Sequence, residues 1–283
     1  MKFRGKMIEL LCIRQFANVV TTLARISKIC TVRITPDKLY FIVLDEKTVR
    51  GMPTLWCVLK QAHFFNEYNM VGVSAEHNEI YLSFNPDMLA KPLSSLKFSH
   101  TAKSVKVKLT NKQSPCLTFE IELPSSLALT RQCVHDIPVA VIPRREWGNY
   151  QEPTYPAFDI GVRVPNIKLV RNVVERMKSM SASVDITAGN GSFTLTIETE
   201  AASVSTHIKG VYMENINGIP SDMPPGQKEV TAKVDIKRLA LFLFCEQINP
   251  SKVVCYISEE KLVYIYLEHE DVVYNFFIAA KMS

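Results

Sequence analysis

The chain has 283 residues, 33 lysines and arginines against 28 aspartates and glutamates, 47% apolar residues and 7 cysteines. That apolar share excludes disordered and fibrous classes, and at ~100–200 residues per domain the length points to two domains. The longest apolar run, Leu239 to Cys245, falls far short of the roughly 20 residues of a membrane span, and an odd cysteine count without a C-x-x-C pair fits buried thiols in a reducing compartment rather than a disulfide frame or zinc site.

Along the chain, Lys2–Met7 reads as a short strand. From Glu9 to Lys28 a helical period places Cys12, Phe16, Val19, Leu23 and Ile26 on one buried stripe. Basic Met1–Lys6 is like the start of an export signal, but Arg14 breaks the apolar stretch that would follow, so no export is expected. Strands at Thr31–Ile34 and Leu39–Leu44 join through the turn signal Pro36-Asp37. A second helix spans Pro86–Lys97, and Pro92 in its interior is expected to shorten or kink it. Strands Ser104–Leu109 and Leu117–Leu123 follow, then a loop from Pro124 to Cys133 and an apolar strand, Asp136–Ile142. Pro143 to Ala157, with Pro143, Pro153, Pro156 and Gly148, has the composition of an ordered, irregular connector.

The same order then recurs. Strand Asp159–Val164 leads into a helix from about Asn166 to Met180 with a stripe of Val170, Val173, Val174 and Met177. Strands Ser183–Ala188 and Ser192–Thr199 flank Gly189-Asn190-Gly191, a hairpin signal. Gly210 to Gln227 reads as a long surface loop. A helix at Asp235–Gln247, strands Val253–Ile257 and Leu262–Glu268, and an apolar strand Val272–Ala279 complete the half. Val32-Arg33-Ile34-Thr35 and Val184-Asp185-Ile186-Thr187 stand at the same place in each half. A repeat at this period means a duplicated domain, giving 1–142, a connector 143–157, and 158–283. Two helices and many antiparallel strands per copy make an α+β fold with both helices on one sheet face.

Charge is unevenly shared. Residues 1–142 carry 18 basic and 11 acidic residues, and 143–283 carry 15 and 17. Opposite the apolar stripe, the first helix shows Arg14, Asn18, Thr21, Arg25 and Lys28. The other helices add Lys91 and Lys97, then Lys168, Arg171 and Lys178, then Lys237 and Arg238, with Glu175 and Glu246 as the few acidic interruptions. Four helices leaning basic on one sheet face would neutralise phosphates without reading bases. Leu241, Phe242 and Phe244 make the fourth helix unusually apolar for such a face.

Several stretches carry a family resemblance. Met1-Lys-Phe-Arg4, Cys30–Leu39, Phe64-Phe-Asn-Glu-Tyr68, Gly72-Val-Ser-Ala75 and Leu109-Thr-Asn-Lys112 lie in the first half. His135-Asp-Ile-Pro-Val139, Val141-Ile-Pro-Arg144, Ile197-Glu-Thr-Glu200 and Asn249-Pro-Ser-Lys252 follow. Together they resemble the Hus (hydroxyurea-sensitive) checkpoint family, including a close paralogue within it. The runs Trp56–Tyr81 and His135–Arg144 set the chain apart from replicative clamps of the PCNA type.

The resemblance implies a PCNA-like fold and one third of a ring completed by Rad-nine-type and Rad-one-type subunits, the nine-one-one complex. It further implies a Rad-seventeen clamp loader, double-stranded DNA held without sequence preference, repair enzymes as partners, a checkpoint kinase downstream, a nuclear location with a cytoplasmic pool, and no cofactor. It places subunit contacts on two edge strands, one with His135, Ile137, Val139 and Val141, the other within Ala201–Lys209 with Ser203, Ser205 and His207. Pro138 would leave one ladder bond unmade. Trp147 and Tyr150 of the connector are candidates for a pocket that takes partner peptides, although an aromatic there more often staples its loop to the sheet.

Catalytic signatures are missing from the sequence. There is no phosphate loop, no G-x-S-x-G elbow and no H-E-x-x-H pair. His135 and Asp136, adjacent on a strand, would point to opposite faces, and His63 and His77 lack metal-ligand spacing. Two alternatives stay open. One is a self-assembling replicative-type clamp. The other is a two-domain enzyme with Cys57 or Cys116 as nucleophile, which requires a histidine beside that thiol.

Overall fold

The structure is a computed structural model that describes residues 1–44, 52–98, 102–124, 131–155, 157–214 and 229–281, less the side chains of 95, 97 and 98. Most of the expected loops at 124–133 and 210–227 lie outside the described residues. Two compact units emerge, one of residues 1–43 and 57–151, the other of 44–56 and 152–283.

The first unit opens with β1 (Lys2–Met7), α1 (Leu10–Ile26), β2 (Cys30–Ile34) and β3 (Lys38–Val43). Then come β4 (Leu55–Lys60), whose Leu55 and Trp56 belong to the second unit, a single turn α2 (Gln61–Phe64), β5 (Glu67–Val71), β6 (Ile80–Phe84) and α3 (Pro86–Phe98). β7 (Ser104–Asn111), β8 (Pro115–Leu123) and β9 (Arg131–Val141) follow, and a 3-10 segment, Arg144–Tyr150, ends the unit. The strands run antiparallel in the order β3-β2-β6-β9-β8-β7-β1-β5. Phe16 of α1 meets Phe41, Phe65 and Phe119 in the core, with centroids 6.3, 6.5 and 6.4 Å away. The stripe expected on α1 is buried at Cys12, Phe16, Val19 and Leu23, while Ile26 is half-buried.

In the second unit β10 (Ile160–Arg163), α4 (Ile167–Met177), β11 (Ser183–Gly189), β12 (Ser192–Glu198), β13 (Ser203–Lys209) and β14 (Val230–Asp235) precede α5 (Ile236–Leu243). A 3-10 turn, Phe244–Ile248, leads to β15 (Lys252–Ser258), β16 (Leu262–His269) and β17 (Val272–Ala279). Two antiparallel strand sets result, β10-β15-β16-β17 and β13-β12-β11-β14. Asn190 and Gly191 take φ of 51° and 66° between the paired residues Gly189 and Ser192, the left-handed pair that a two-residue hairpin demands.

The duplication holds pair by pair. β1–β7, β7–β8 and β8–β9 recur as β10–β15, β15–β16 and β16–β17, while β2–β3 and β2–β6 recur as β11–β12 and β11–β14. α1 packs beside α3, and α4 beside α5. Asn166 caps α4 by accepting from the Leu169 N–H at 3.0 Å. Asp235 caps α5 by accepting from Lys237 and Arg238 at 2.9 and 3.3 Å. Two helix expectations need correction. α3 is not shortened at Pro92 and runs to Phe98, one residue past the expected Lys97, and α4 stops at Met177, three residues short of Met180, in a tight turn where Met180 donates to Met177 O.

Candidate nucleic-acid interface and subunit edges

On α1 the residues opposite the buried stripe are graded. Arg14, Asn18 and Thr21 are half-buried, and the Thr21 hydroxyl donates to Ala17 O at 2.7 Å. Arg25 and Lys28 are exposed, and Lys28 is ion-paired with Asp87 in the first turn of α3. Lys91 is exposed on α3, while the Lys97 side chain lies outside the described residues.

On α4, Lys168 is exposed, but Arg171 and Lys178 are engaged locally. Arg171 Nη1 lies 2.7 Å from Glu246 Oε2, and its guanidinium carbon sits 4.9 Å over the Phe244 ring. Lys178 pairs with Glu175 one turn back. Lys237 is exposed and Arg238 half-buried at the start of α5. The acidic interruptions noted in the sequence are thus the partners of two of the cations. Asp87 carries no sequence signal of its role, because only the packing of α1 beside α3 brings it to Lys28.

These helix faces are also less uniformly polar than the charge pattern suggested. Leu11, Met88, Leu169 and Leu241 are 58, 42, 45 and 39% exposed. Phe242 turns inward onto Phe276, with ring centroids 5.0 Å apart.

The edge strands can be read from main-chain direction. In an antiparallel strand alternate residues point their N–H and C=O to the same neighbour. Ile142 donates its N–H to Tyr81 O at 3.0 Å, so Ala140, Pro138, Asp136 and Val134 face the β6 side, whereas His135, Ile137, Val139 and Val141 face β8. β6 reaches only Val139–Val141. Among the described residues, the stretch from Arg131 to Pro138 is paired with β8 alone, leaving an open edge. This corrects the residues expected there. Ile137 and Val139 are spent on the chain's own core at 3 and 9% exposure, and His135 and Ile137 give their main-chain groups to β8. The groups at the edge belong to Val134, Asp136 and Pro138. Pro138 costs the β8–β9 ladder nothing, because the N–H it lacks would point away from β8.

β13 is an edge strand paired only with β12 among the described residues. Thr199 donates to Ala202 O, which sets the phase so that Ser203, Ser205 and His207 turn their main-chain groups outward. Their side chains are exposed; Ser205 Oγ meets Thr196 Oγ1 at 2.9 Å and His207 Nδ1 meets Thr194 Oγ1 at 3.1 Å.

Trp147 is not available to a partner peptide. It is 9% exposed, lies stacked 4.4 Å from Tyr81, and donates its indole N–H to Ile142 O at 3.0 Å. Tyr150 packs half-buried against the same pair. Both staple the connector to β6. Farther along, Tyr155 and Phe158 cover Tyr264, with centroids at 5.2 and 5.4 Å, a fastening the sequence did not reveal.

Both proposed nucleophiles are withdrawn into the core. Cys57 and Cys116 are buried at 0 and 7% exposure. Cys12 lies beside a histidine, its Sγ 3.9 Å from His63 Nε2, but it is 2% exposed and donates to His63 O at 3.2 Å. Among the described residues, no group of three or more His, Cys, Asp or Glu is placed to hold a metal, and no helix is long and apolar enough to cross a membrane.

Comparisons with known proteins agree with one another. The family model described as Hus1-like protein matches residues 1–282. The chain is 40% identical to the human Checkpoint protein HUS1 over 292 aligned residues, covering 99% of each chain. It is 25% identical to the Checkpoint protein Hus1-like of Drosophila melanogaster, again over 99% of each. With the Checkpoint protein hus1 of Schizosaccharomyces pombe it shares 26% over 94% of this chain and 93% of the other. Among solved structures, the Proliferating Cellular Nuclear Antigen of Entamoeba histolytica superposes with a TM-score of 0.70 over 99% of both chains at 14% identity, a likeness of fold.

Proposed function

The chain belongs to the Hus1-like family, and from that premise we propose that it is a non-enzymatic subunit of a heterotrimeric sliding clamp that encircles DNA at damage sites. In this reading Rad-nine-type and Rad-one-type subunits complete the ring, a Rad-seventeen loader places it, and the nuclear assembly supports checkpoint kinase activation and recruits repair enzymes.

One observation carries the proposal. Inside the second unit, β17 has a strand along its edge: Phe277 donates its N–H to Thr54 O at 3.0 Å, and Asn275 Nδ2 donates to Trp56 O at 3.0 Å. Thr54 and Trp56 belong to the run that becomes β4. Under the duplication β17 corresponds to β9, and β4, which follows β3, corresponds to β13, which follows β12. What Thr54 and Trp56 do for β17 inside the second unit, no strand among the described residues does for β9 or β13. Two open edges of complementary kind are what a ring segment needs at its ends. Exposed Arg25, Lys91, Lys168 and Lys237 on the helix faces supply sequence-independent attraction to phosphates.

Light scattering of the chain alone and mixed with the two sister subunits tests this. The expected outcome is a one-to-one-to-one ring in the mixture, with slowed hydrogen exchange at the Val134 and Asp136 amides. A stable homotrimer of this chain alone would overturn it in favour of a self-assembling clamp.

A further inference from the structure

β9 and β17 end in the same way. Ile142 donates to Tyr81 O, and Lys281 donates to Lys233 O at 2.7 Å. One residue earlier, Val141 pairs with Leu82 and Ala280 with Val234. These pairings set the two strands in register, Ile142 with Lys281. Four residues before Lys281 stands Phe277, whose N–H goes to Thr54. Four residues before Ile142 stands Pro138, which has no N–H. At the step where β17 donates to its strand, β9 presents a pyrrolidine ring. Pro138 is exposed and sits opposite Cys116 on β8.

We propose that Pro138 selects the strand that closes on β9, by refusing β13 of a second copy of this chain. The inference rests on the ring reading above. A strand seated as Thr54 sits on β17 brings a carbonyl to the position of Pro138. There it finds no donor and meets the ring carbons, and a buried carbonyl left unmatched is costly. Val134 and Asp136 still offer N–H and C=O groups, so the edge remains open to a strand that asks for no donor at that step. Homotypic closure is disfavoured and heterotypic closure is left available.

The test is self-association of the full chain by sedimentation equilibrium, wild type against Pro138→Ala. Alanine restores the N–H, and the exposed site has no core packing to lose. Self-association is expected to strengthen roughly tenfold or more. In Pro138→Ala/Ser205→Pro, the outward N–H of β13 is removed at a position that spares the β12 ladder, and self-association should fall back to the wild-type level. Equal behaviour of wild type and Pro138→Ala overturns the inference, as does a gain that Ser205→Pro leaves untouched. A gain in Pro138→Ala while the sister subunits fail to form a ring with the wild type would sink the ring reading and leave the edge inference standing. A wild-type homotrimer would remove both.

Discussion

Trp147 lies flat against Tyr81, with ring centroids 4.4 Å apart and planes inclined by 29°. The stack continues across the sheet face, because the Arg33 guanidinium sits 5.6 Å from the Tyr81 ring and 5.0 Å from that of Tyr40. Glu79 holds Arg33 through two hydrogen bonds of 2.8 and 2.9 Å and accepts from the Tyr81 hydroxyl at 2.6 Å. Gln151 closes the group by donating to Tyr81 Oη and Trp147 O. The connector therefore begins as part of the sheet's covered face.

Replacing Trp147 with alanine should cost about 3–5 kcal/mol, the usual range for a buried Trp, and open the 143–151 segment to proteolysis. Trp147→Phe should recover most of the packing but not the hydrogen bond to Ile142 O. Urea titration with limited proteolysis checks both. Unchanged protease resistance in Trp147→Ala would contradict the stapling role.

The Glu79 group predicts a pH dependence. Burial alone would raise the Glu79 pKa, but hydrogen bonds from Arg33 and Tyr81 outweigh it and hold the carboxyl below its ordinary value of 4.5. A depressed folded-state pKa contributes stability that is present above the unfolded value and lost as pH falls through the folded one. The urea midpoint of Glu79→Gln should thus lie below wild type at pH 7, and the gap should close below about pH 4.5. A gap that does not narrow at all as pH falls below about 4.5 would mean that the loss is one of packing and not of ionisation.

Among the helix cations, two classes should separate. Lys168→Ala and Lys237→Ala change exposed residues and should leave the unfolding midpoint within about 0.5 kcal/mol of wild type. They should weaken retention on DNA and lower the salt slope by roughly 0.9 for each phosphate no longer neutralised. Arg171→Ala should destabilise the chain as well, because it leaves Glu246 and the face of Phe244 uncovered. Filter retention across a salt series, paired with thermal unfolding, distinguishes the classes. If Lys168 and Lys237 variants hold DNA as well as wild type, the helix face is not the DNA-binding surface.

Thiol labelling separates a structural set of cysteines from a reactive one. Burial pushes the Cys245 and Cys255 thiols up to about 12 and raises Cys30 further. Cys12, Cys57 and Cys116 are also buried, and Cys133 alone is half-buried. Alkylation of the native chain should modify Cys133, with the other six appearing only on unfolding. Rapid stoichiometric labelling of Cys57 or Cys116 would reopen the enzyme alternative.

How much of this was legible in the sequence depends on where periodicity survives. α1 and α4 announce themselves through one-sided apolar stripes, and the Asn190-Gly191 turn through its need for positive φ. β4 leaves no such mark: Leu55-Trp56-Cys57-Val58-Leu59 is apolar throughout and mostly buried, which erases alternation. β5 is short and half-exposed on an edge, so no face dominates. β14 alternates cleanly, but the Pro- and Gly-rich sequence before it gives no signal for where the strand begins. The helix cations can be named from spacing, whereas their partners Asp87 and Glu246 come from other elements. Pro138 is visible as an anomaly, but its direction follows only from the Ile142–Tyr81 bond, since a one-residue change of phase would have put its missing N–H inside the sheet.

The pairing of Ile142 with Lys281 and of Pro138 with Phe277 has a practical consequence. Two copies of one architecture sit in a single polypeptide at equal concentration, temperature and solvent. A substitution in one copy therefore carries its own reference in the other, and amide exchange at matched positions such as Leu82 and Val234 reports the local cost of divergence directly. The two copies already differ in this way: the one with a donor holds a strand of its own chain, and the one without it keeps an open edge among the described residues.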